Sequence, residues 1–320
     1  MAIATGAHST VEEPIATGGN REDLSDIIAD VSPTETPLLQ MIKRNTATGV
    51  AHDWLADQLE DAADNKSIEG NDAVGVNPDG RDRFSNYCQI FTKVPVVTGT
   101  QEKVKKGGGI KSEMAYQVAR RMKAIKRDVE FALVGQSNAK VAGSRTVARE
   151  LASFDAYLVT NNQFASGSSD PTGDGTDVSD FSGDDRALTE TIFNAALQSI
   201  WDNSGGNTSL TALVTSTHKR GISNFDGTAT RYVNTDDKKL TTSIDIYEGD
   251  FHDVKITPDR FLKAGSMFIV DPEYVKLSEL RPLHMYDLAK VGDSIRKQLI
   301  WELTLEVCDE RAHAYIADLT

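Results

Sequence analysis

Lys105–Glu130 reads KKGGGIKSEMAYQVARRMKAIKRDVE: three glycines and a Lys-Ser pair between an apolar, β-branched stretch (VPVVTGT, 94–100) and a long helical pattern. A phosphate-binding loop would need G-x-x-x-x-G-K-[ST], so that backbone amides wrap the phosphates while the Lys reaches them. Here Ile110 separates Gly109 from Lys111-Ser112, and no glycine stands at the earlier position. The spacing fails. A flexible joint opening a helix accounts for the same residues, since glycines permit unusual dihedrals and Ser112-Glu113 suits a first turn. Gly107, Gly108 and Gly109 are therefore expected to form a hinge.

Beyond the joint, Met114, Val118, Met122, Ile125, Val129 and Leu133 recur every three to four residues, which predicts a helix from Ile110 to about Gln136. At about 1.5 Å per residue it spans roughly 40 Å, long for a globular domain. Met114, Val118, Ile125 and Val129 are expected in its core face, with Arg120, Lys123, Lys126 and Arg127 beside or opposite it.

Upstream of the joint, REDLSDIIADVSPTETPLLQMIKRN (21–45) reads as two short helical pieces broken by Pro33 and Pro37. Leu24, Ile27 and Ile28 give the first an apolar side that it cannot bury alone, so the segment reads as an arm lying across something. HDWLADQLEDAADNKSIEGNDAVGVNPDGRDRF (52–84) is acidic and rich in Asn, Asp and Gly, and SNYCQIFTKVPVVTGT (85–100) reads as strand. A two-stranded excursion with a polar tip fits this stretch. Its apolar content is too small to offset the entropy of ordering, so it must lean on a neighbour.

Downstream, LTETIFNAALQSIWD (188–202) predicts a second amphipathic helix, LTALVT a buried strand, IDIYEGDFHDVKI a hairpin and SMFIVD a short buried strand. In RKQLIWELTLEV (296–307), Leu299, Trp301, Leu303, Leu305 and Val307 face one way and Glu302, Thr304 and Glu306 the other, which predicts a half-buried strand. The class is mixed α+β, with no βαβ period and no internal repeat.

The chain has 320 residues and a formal net charge of −14. That balance argues against a dedicated nucleic-acid binder, because phosphates are held by clustered Lys and Arg. The start, MAIATGAHSTVEEP, lacks the marks of a signal peptide, and no apolar run reaches membrane-spanning length, so a soluble protein made in the cytoplasm is expected. Cys88 and Cys308 read as buried thiols, and Asn207-Thr208-Ser209 is a chance glycosylation match.

No catalytic motif emerges. Asp170, Asp174 and Gly175 echo a calcium loop, but Thr172 and Phe181 occupy positions that need acids. His8, His52, His218, His252, His284 and His313 show no ligand spacing, and no Gly-x-Ser-x-Gly elbow is present. No cofactor and no metal are expected. Trp54 reads as an anchor of the excursion on a neighbour.

The order of these elements resembles that of tailed-bacteriophage major capsid proteins of the HK97 fold. The phrases that carry it are DLSDIIADVSPTETPLL in the arm; HDWLADQL, SIEGNDA, NYCQIF and VTGT around the excursion; YQVARRMKAIKRDVEFAL in the long helix; and LRPLHMYDLAKVGDSIRKQLIWELTLEV near the end. The resemblance runs from Arg21 to Thr320 and is weakest at 166–185. It implies an N-terminal arm (1–45), an extended loop (46–103), a peripheral domain with the spine helix (104–187), an axial domain (188–290) and a return to the peripheral domain in a C-terminal hairpin (291–320).

The resemblance also implies hexamers and pentamers closing an icosahedral shell around double-stranded DNA in a virion. A portal, and separate scaffolding and decoration proteins, are the other partners it suggests; no membrane is involved. Trp54, Asp57, Glu69, Asn86 and Gln89 are the candidate intersubunit contacts. A loop cross-link, known in some relatives, is selected by no motif here, although Lys66 and many Asn exist. A nanocompartment shell protein shares the fold and is one alternative; a soluble enzyme with a site outside known motifs is the other.

Overall fold

The computed structural model describes residues 34–57, 62–72, 75, 80–106, 109–181, 183–204, 209–225 and 245–320. The first piece of the arm, with Leu24, Ile27 and Ile28, lies outside the described residues, as do Gly107 and Gly108. The chain opens with helix α1 (Pro37–Met41) and strand β1 (Lys43–Thr46). Strands β2 (Ala51–Ala56) and β3 (Asp82–Tyr87) follow, then β4 (Gln89–Lys93), β5 (Val96–Thr98) and helix α2 (Gly99–Lys103). The long helix α3 covers Glu113–Val134. An irregular stretch holds β6 (Asn162–Gln163), after which come α4 (Glu190–Asn203), β7 (Leu210–Val214) and α5 (Ser216–Ser223). Six strands close the chain: β8 (Ile246–Glu248), β9 (Asp253–Pro258), β10 (Met267–Val270), β11 (Val275–Asp287), β12 (Ser294–Val307) and β13 (Ala314–Ile316).

Helix α3 starts three residues later than its apolar period suggests, because Ser112 caps it: its hydroxyl accepts from the Ala115 amide at 3.2 Å. Glu102, on α2 across the glycine joint, accepts from the amides of Glu113 (3.0 Å) and Met114 (3.2 Å). The helix N-terminus is thus held by a carboxylate, the charge its dipole favours. Met114, Ile125, Val129 and Leu133 are buried, and Val118 and Met122 pack partly buried against the same core.

Two sheets flank that core. The first runs β1-β11-β12-β4, with β5 also pairing with β12. The second runs β6-β13-β10-β7-β9-β8. Strands β7 and β10 are buried on both faces: Leu213, Phe268 and Val270 point to the core shared with α3, and Ala212, Val214, Met267 and Ile269 to a second core under α4. Their unbroken apolar sequences follow from that placement. The expected hairpin at 244–256 is β8 paired antiparallel with β9.

The structure departs from expectation in two places. Strand β12 is not half-buried. Glu302, Thr304 and Glu306, placed on its solvent face from the alternation, are 3%, 0% and 5% exposed. Cations and polar groups from β1, β2, β11 and the stretch after α3 cover them. The second departure concerns the hairpin that closes the first sheet. It joins β12 to β11 from Val275↔Val307 to Asp287↔Lys297, so residues 275–287 belong with the closing segment rather than with 188–274. β11 escaped detection because its apolar period is broken, and its register shifts around Pro282, which has no N–H for the ladder. β13 then leaves this sheet for the second one.

Candidate functional site

Two groups that could do chemistry, His313 and Cys88, are buried in the fold. His313 is fully buried, its Nδ1 accepts from the Asp271 amide (3.1 Å), and burial pushes its pKa down to about 3. Burial pushes the Cys88 thiol up to about 11, which leaves it protonated and unreactive. Among the described residues, no group of three His, Cys, Asp or Glu is placed to hold a metal ion. Around Asp174, Thr172 and Thr176 donate to the carboxylate, as a self-satisfied turn does.

The feature that stands out is the ribbon made by β2 and β3, paired from Ala51↔Tyr87 to Ala56↔Asp82. Its base is locked to the rest of the chain. Asn86, fully buried, donates to the carbonyls of Ala152 (3.3 Å) and Leu305 (3.1 Å) and accepts from the Ala152 amide (2.9 Å). Tyr157 and Lys140 both reach the Ser85 carbonyl, at 3.0 and 3.2 Å. Trp54 packs against Phe84 and Tyr157, with ring centroids 6.3 and 5.6 Å apart.

Three of the five expected intersubunit contacts therefore fall inside the subunit. Trp54 and Asn86 are buried in its own body, and the Gln89 side chain accepts from the Leu151 amide at 3.1 Å. Alternating strand residues look alike whether the face they present meets a neighbouring chain or the chain's own body. Asp57 and Glu69 are placed otherwise. Both are exposed, Asp57 pairing with Arg81 at 3.1 Å. Every residue from Ala62 to Asp72 is exposed, Ile68 to 83%. Between Asp57 and Arg81 seven carboxylates stand against Lys66 and Arg81. A stiffly rooted ribbon thus carries an acidic tip that no other described part of the chain covers.

Two carboxylate clamps hold the ribbon's surroundings, and the sequence did not reveal them. Glu302 receives Arg149 Nη2 at 2.6 Å and Arg281 Nε at 2.5 Å. Glu306 takes His52 Nε2 (3.0 Å), Asn45 Nδ2 (3.1 Å), Ser278 Oγ (2.8 Å) and Lys276 Nζ (3.3 Å). Burial alone would raise the Glu306 carboxyl, but these bonds outweigh it and hold it at about 2. Glu306 thereby ties β1, the ribbon strand β2 and β11 to β12.

The joint before α3 also has a described part. Gly109 sits at φ +66°, a conformation that residues with a Cβ adopt at a cost. Lys111 is exposed. The Ser112 hydroxyl holds the Glu102 carboxyl below its ordinary range, so the contact that bridges the joint is ionised at neutral pH.

The family model for the SU10 major capsid protein matches residues 6–320. No curated protein sequence matches the chain. Among solved structures, the cyanophage A-1(L) capsid asymmetric unit is similar with a TM-score of 0.65 at 14% identity, over 96% of this chain and 98% of that one. The capsid of a native GTA particle matches with a TM-score of 0.64 at 12% identity, over 98% and 99%. A Gordonia phage Cozz chain matches with a TM-score of 0.60 at 12% identity, over 98% and 96%. At such identities the likeness is one of fold, the HK97-like capsid fold. With the family model spanning nearly the whole chain, this is a structural protein of the bacteriophage virion, and it belongs to the SU10 major capsid protein family.

Proposed function

We propose that this chain builds the shell by interlocking its copies through the ribbon, as hexamers and pentamers that close into an icosahedral particle around double-stranded DNA. The observation that carries this is the contrast along the ribbon: a base buried in its own subunit and a tip exposed from Ala62 to Asp72. A tip of that composition gains order only against another surface, and copies of the same chain supply it in a symmetric assembly.

In this reading residues 1–45 form the arm and 46–103 the extended loop, whose projecting part is the β2–β3 ribbon. Residues 104–187 and 291–320 form the peripheral domain, joined by β11, and the rest of 188–290 forms the axial domain. The net charge of −14 favours a shell that confines DNA without gripping it. A portal, and separate scaffolding and decoration proteins, are the further partners. Electron microscopy of the purified protein, with gel filtration beside it, tests the proposal. Closed shells support it, and a monomer or dimer at every concentration contradicts it.

A further inference from the structure

Where the described chain begins, Thr34 lines a groove of about 230 Å³ walled by Gln117, Arg120, Arg121, Lys123 and Arg127 of α3. Arg120, Arg121 and Lys123 are exposed and Arg127 is half-buried. Arg120 lies over the Tyr116 ring and Arg127 over that of Phe261, at 5.8 and 5.4 Å from the centroids. Among the described residues, none of these four cations has a carboxylate within ion-pairing distance. In a chain of net charge −14, such a concentration of unpaired positive charge calls for an occupant.

The course of the chain indicates which. Leu38 and Leu39 are bound to Glu130, near the C-terminal end of α3, and Thr34 already lies among residues 117–127. Traced backwards, the chain therefore moves along the cations toward the start of α3. The residues that precede it are Glu22, Asp23, Asp26 and Asp30, with Arg21 the one base nearby. Asp23, Asp26 and Asp30 are spaced i, i+3, i+7, and so are Arg120, Lys123 and Arg127. On a helix that spacing sets three side chains on one face, with Ile27 at its edge and Leu24 and Ile28 turned away. Four residue steps separate Asp30 from Thr34, a reach of about 13 Å, against roughly 10 Å of helix between Arg120 and Arg127.

We propose that residues 22–30 dock along the basic groove of α3 in the same chain, carboxylates against Arg120, Lys123 and Arg127. The covalent tether favours this occupant over DNA or the acidic ribbon tip of a second copy, because it raises the local concentration of the segment.

Carbodiimide coupling of the purified full-length protein tests this, since it joins a carboxylate to a lysine amine only when the two touch. Peptide mapping should find Lys123 joined to Asp23, Asp26 or Asp30. In a mixture of light and heavy isotope-labelled protein, each link should stay within one isotope. Arg120→Glu with Arg127→Glu, both outside the apolar core, should lower the yield about tenfold, as the loss of two exposed charge pairs implies. Raising salt to about 1 M should do the same to the wild type, where the screening length is about 3 Å. Lys123 joined to carboxylates of 57–79 instead, or links that cross isotopes, would overturn the same-chain arm. Co-purifying DNA that the double variant sheds, with no arm link in the wild type, would assign the groove to DNA and overturn it equally.

Discussion

Glu130 of α3 accepts hydrogen bonds from the backbone amides of Leu38 at 2.7 Å and Leu39 at 2.9 Å, so the long helix caps the short one. Thr36, at the cap position of α1, makes no such bond with its own side chain, and a five-residue helix cannot satisfy its first amides internally. One buried carboxylate thereby fixes the start of the described arm to the spine of the fold. Glu130→Ala should destabilise the subunit by about 3 kcal/mol, through two stranded amides and a cavity. Urea unfolding of unassembled protein measures this, and a change below about 1 kcal/mol would contradict the capping role.

The same carboxyl has a pH signature. Burial first, and then Asp259 beside it, pushes Glu130 up to about 8, and burial raises Asp259 as well. A carboxyl raised on folding contributes stability that is complete below its unfolded value and lost as pH rises through the folded one. Wild-type stability should therefore fall between about pH 5 and 8 more steeply than that of Glu130→Gln. Parallel unfolding midpoints at several pH values read the difference. Equal slopes would place the proton elsewhere.

Glu306 gives the opposite sign. Its depressed carboxyl, at about 2, contributes stability that is complete above the ordinary glutamate range and lost as pH falls through that value. Glu306→Gln should cost about 2 kcal/mol at neutral pH and flatten the acid limb below about pH 4.5. An unchanged acid limb would mean that the bonds from Asn45, His52 and Ser278 do not discriminate the charged form.

The apolar stripe of α3 admits a blunter test. Ile125 and Val129 are fully buried. Replacing either with Asp buries an unpaired charge at a cost of several kcal/mol, comparable to the whole stability of a domain. Soluble expression should be lost. A variant that folds and assembles as the parent does would contradict the packing described here.

At the joint, Lys111→Ala should leave assembly and nucleotide binding unchanged, because the glycine spacing before Lys111 is not that of a phosphate-binding loop. Gly109→Ala should cost about 1 kcal/mol for its left-handed conformation. Replacing all three glycines with Ala should extend the helix toward Lys105 and yield misformed particles by electron microscopy. ATP or GTP binding by the wild type that Lys111→Ala removes would overturn the hinge.

Elements with a clean period were legible in the sequence. The core of α3 at Met114, Ile125 and Val129, the buried strands β7 and β10, and the β8–β9 hairpin follow from residue spacing alone. The clamps were not. Glu302 and Glu306 alternate as solvent-facing residues do, and only cations and polar side chains from other segments bury them. β11 was hidden by Pro282, and Asn86 by a side chain that suits an exposed strand as well as a buried one. Glu130 did leave a trace, a lone acid in VEFALV at the most apolar end of the helix.

The most direct test removes the ribbon tip. Ala56 and Asp82 are register partners, so residues 57–81 can be replaced by an Asn-Gly turn that closes β2 on β3 without disturbing the base. The parent and the excised protein, prepared identically, are compared by electron microscopy and thermal unfolding. The excised subunit should stay folded, within about 1 kcal/mol of the parent's stability, and form no closed shells under conditions where the parent does. Normal shells from the excised protein would contradict assembly through the ribbon.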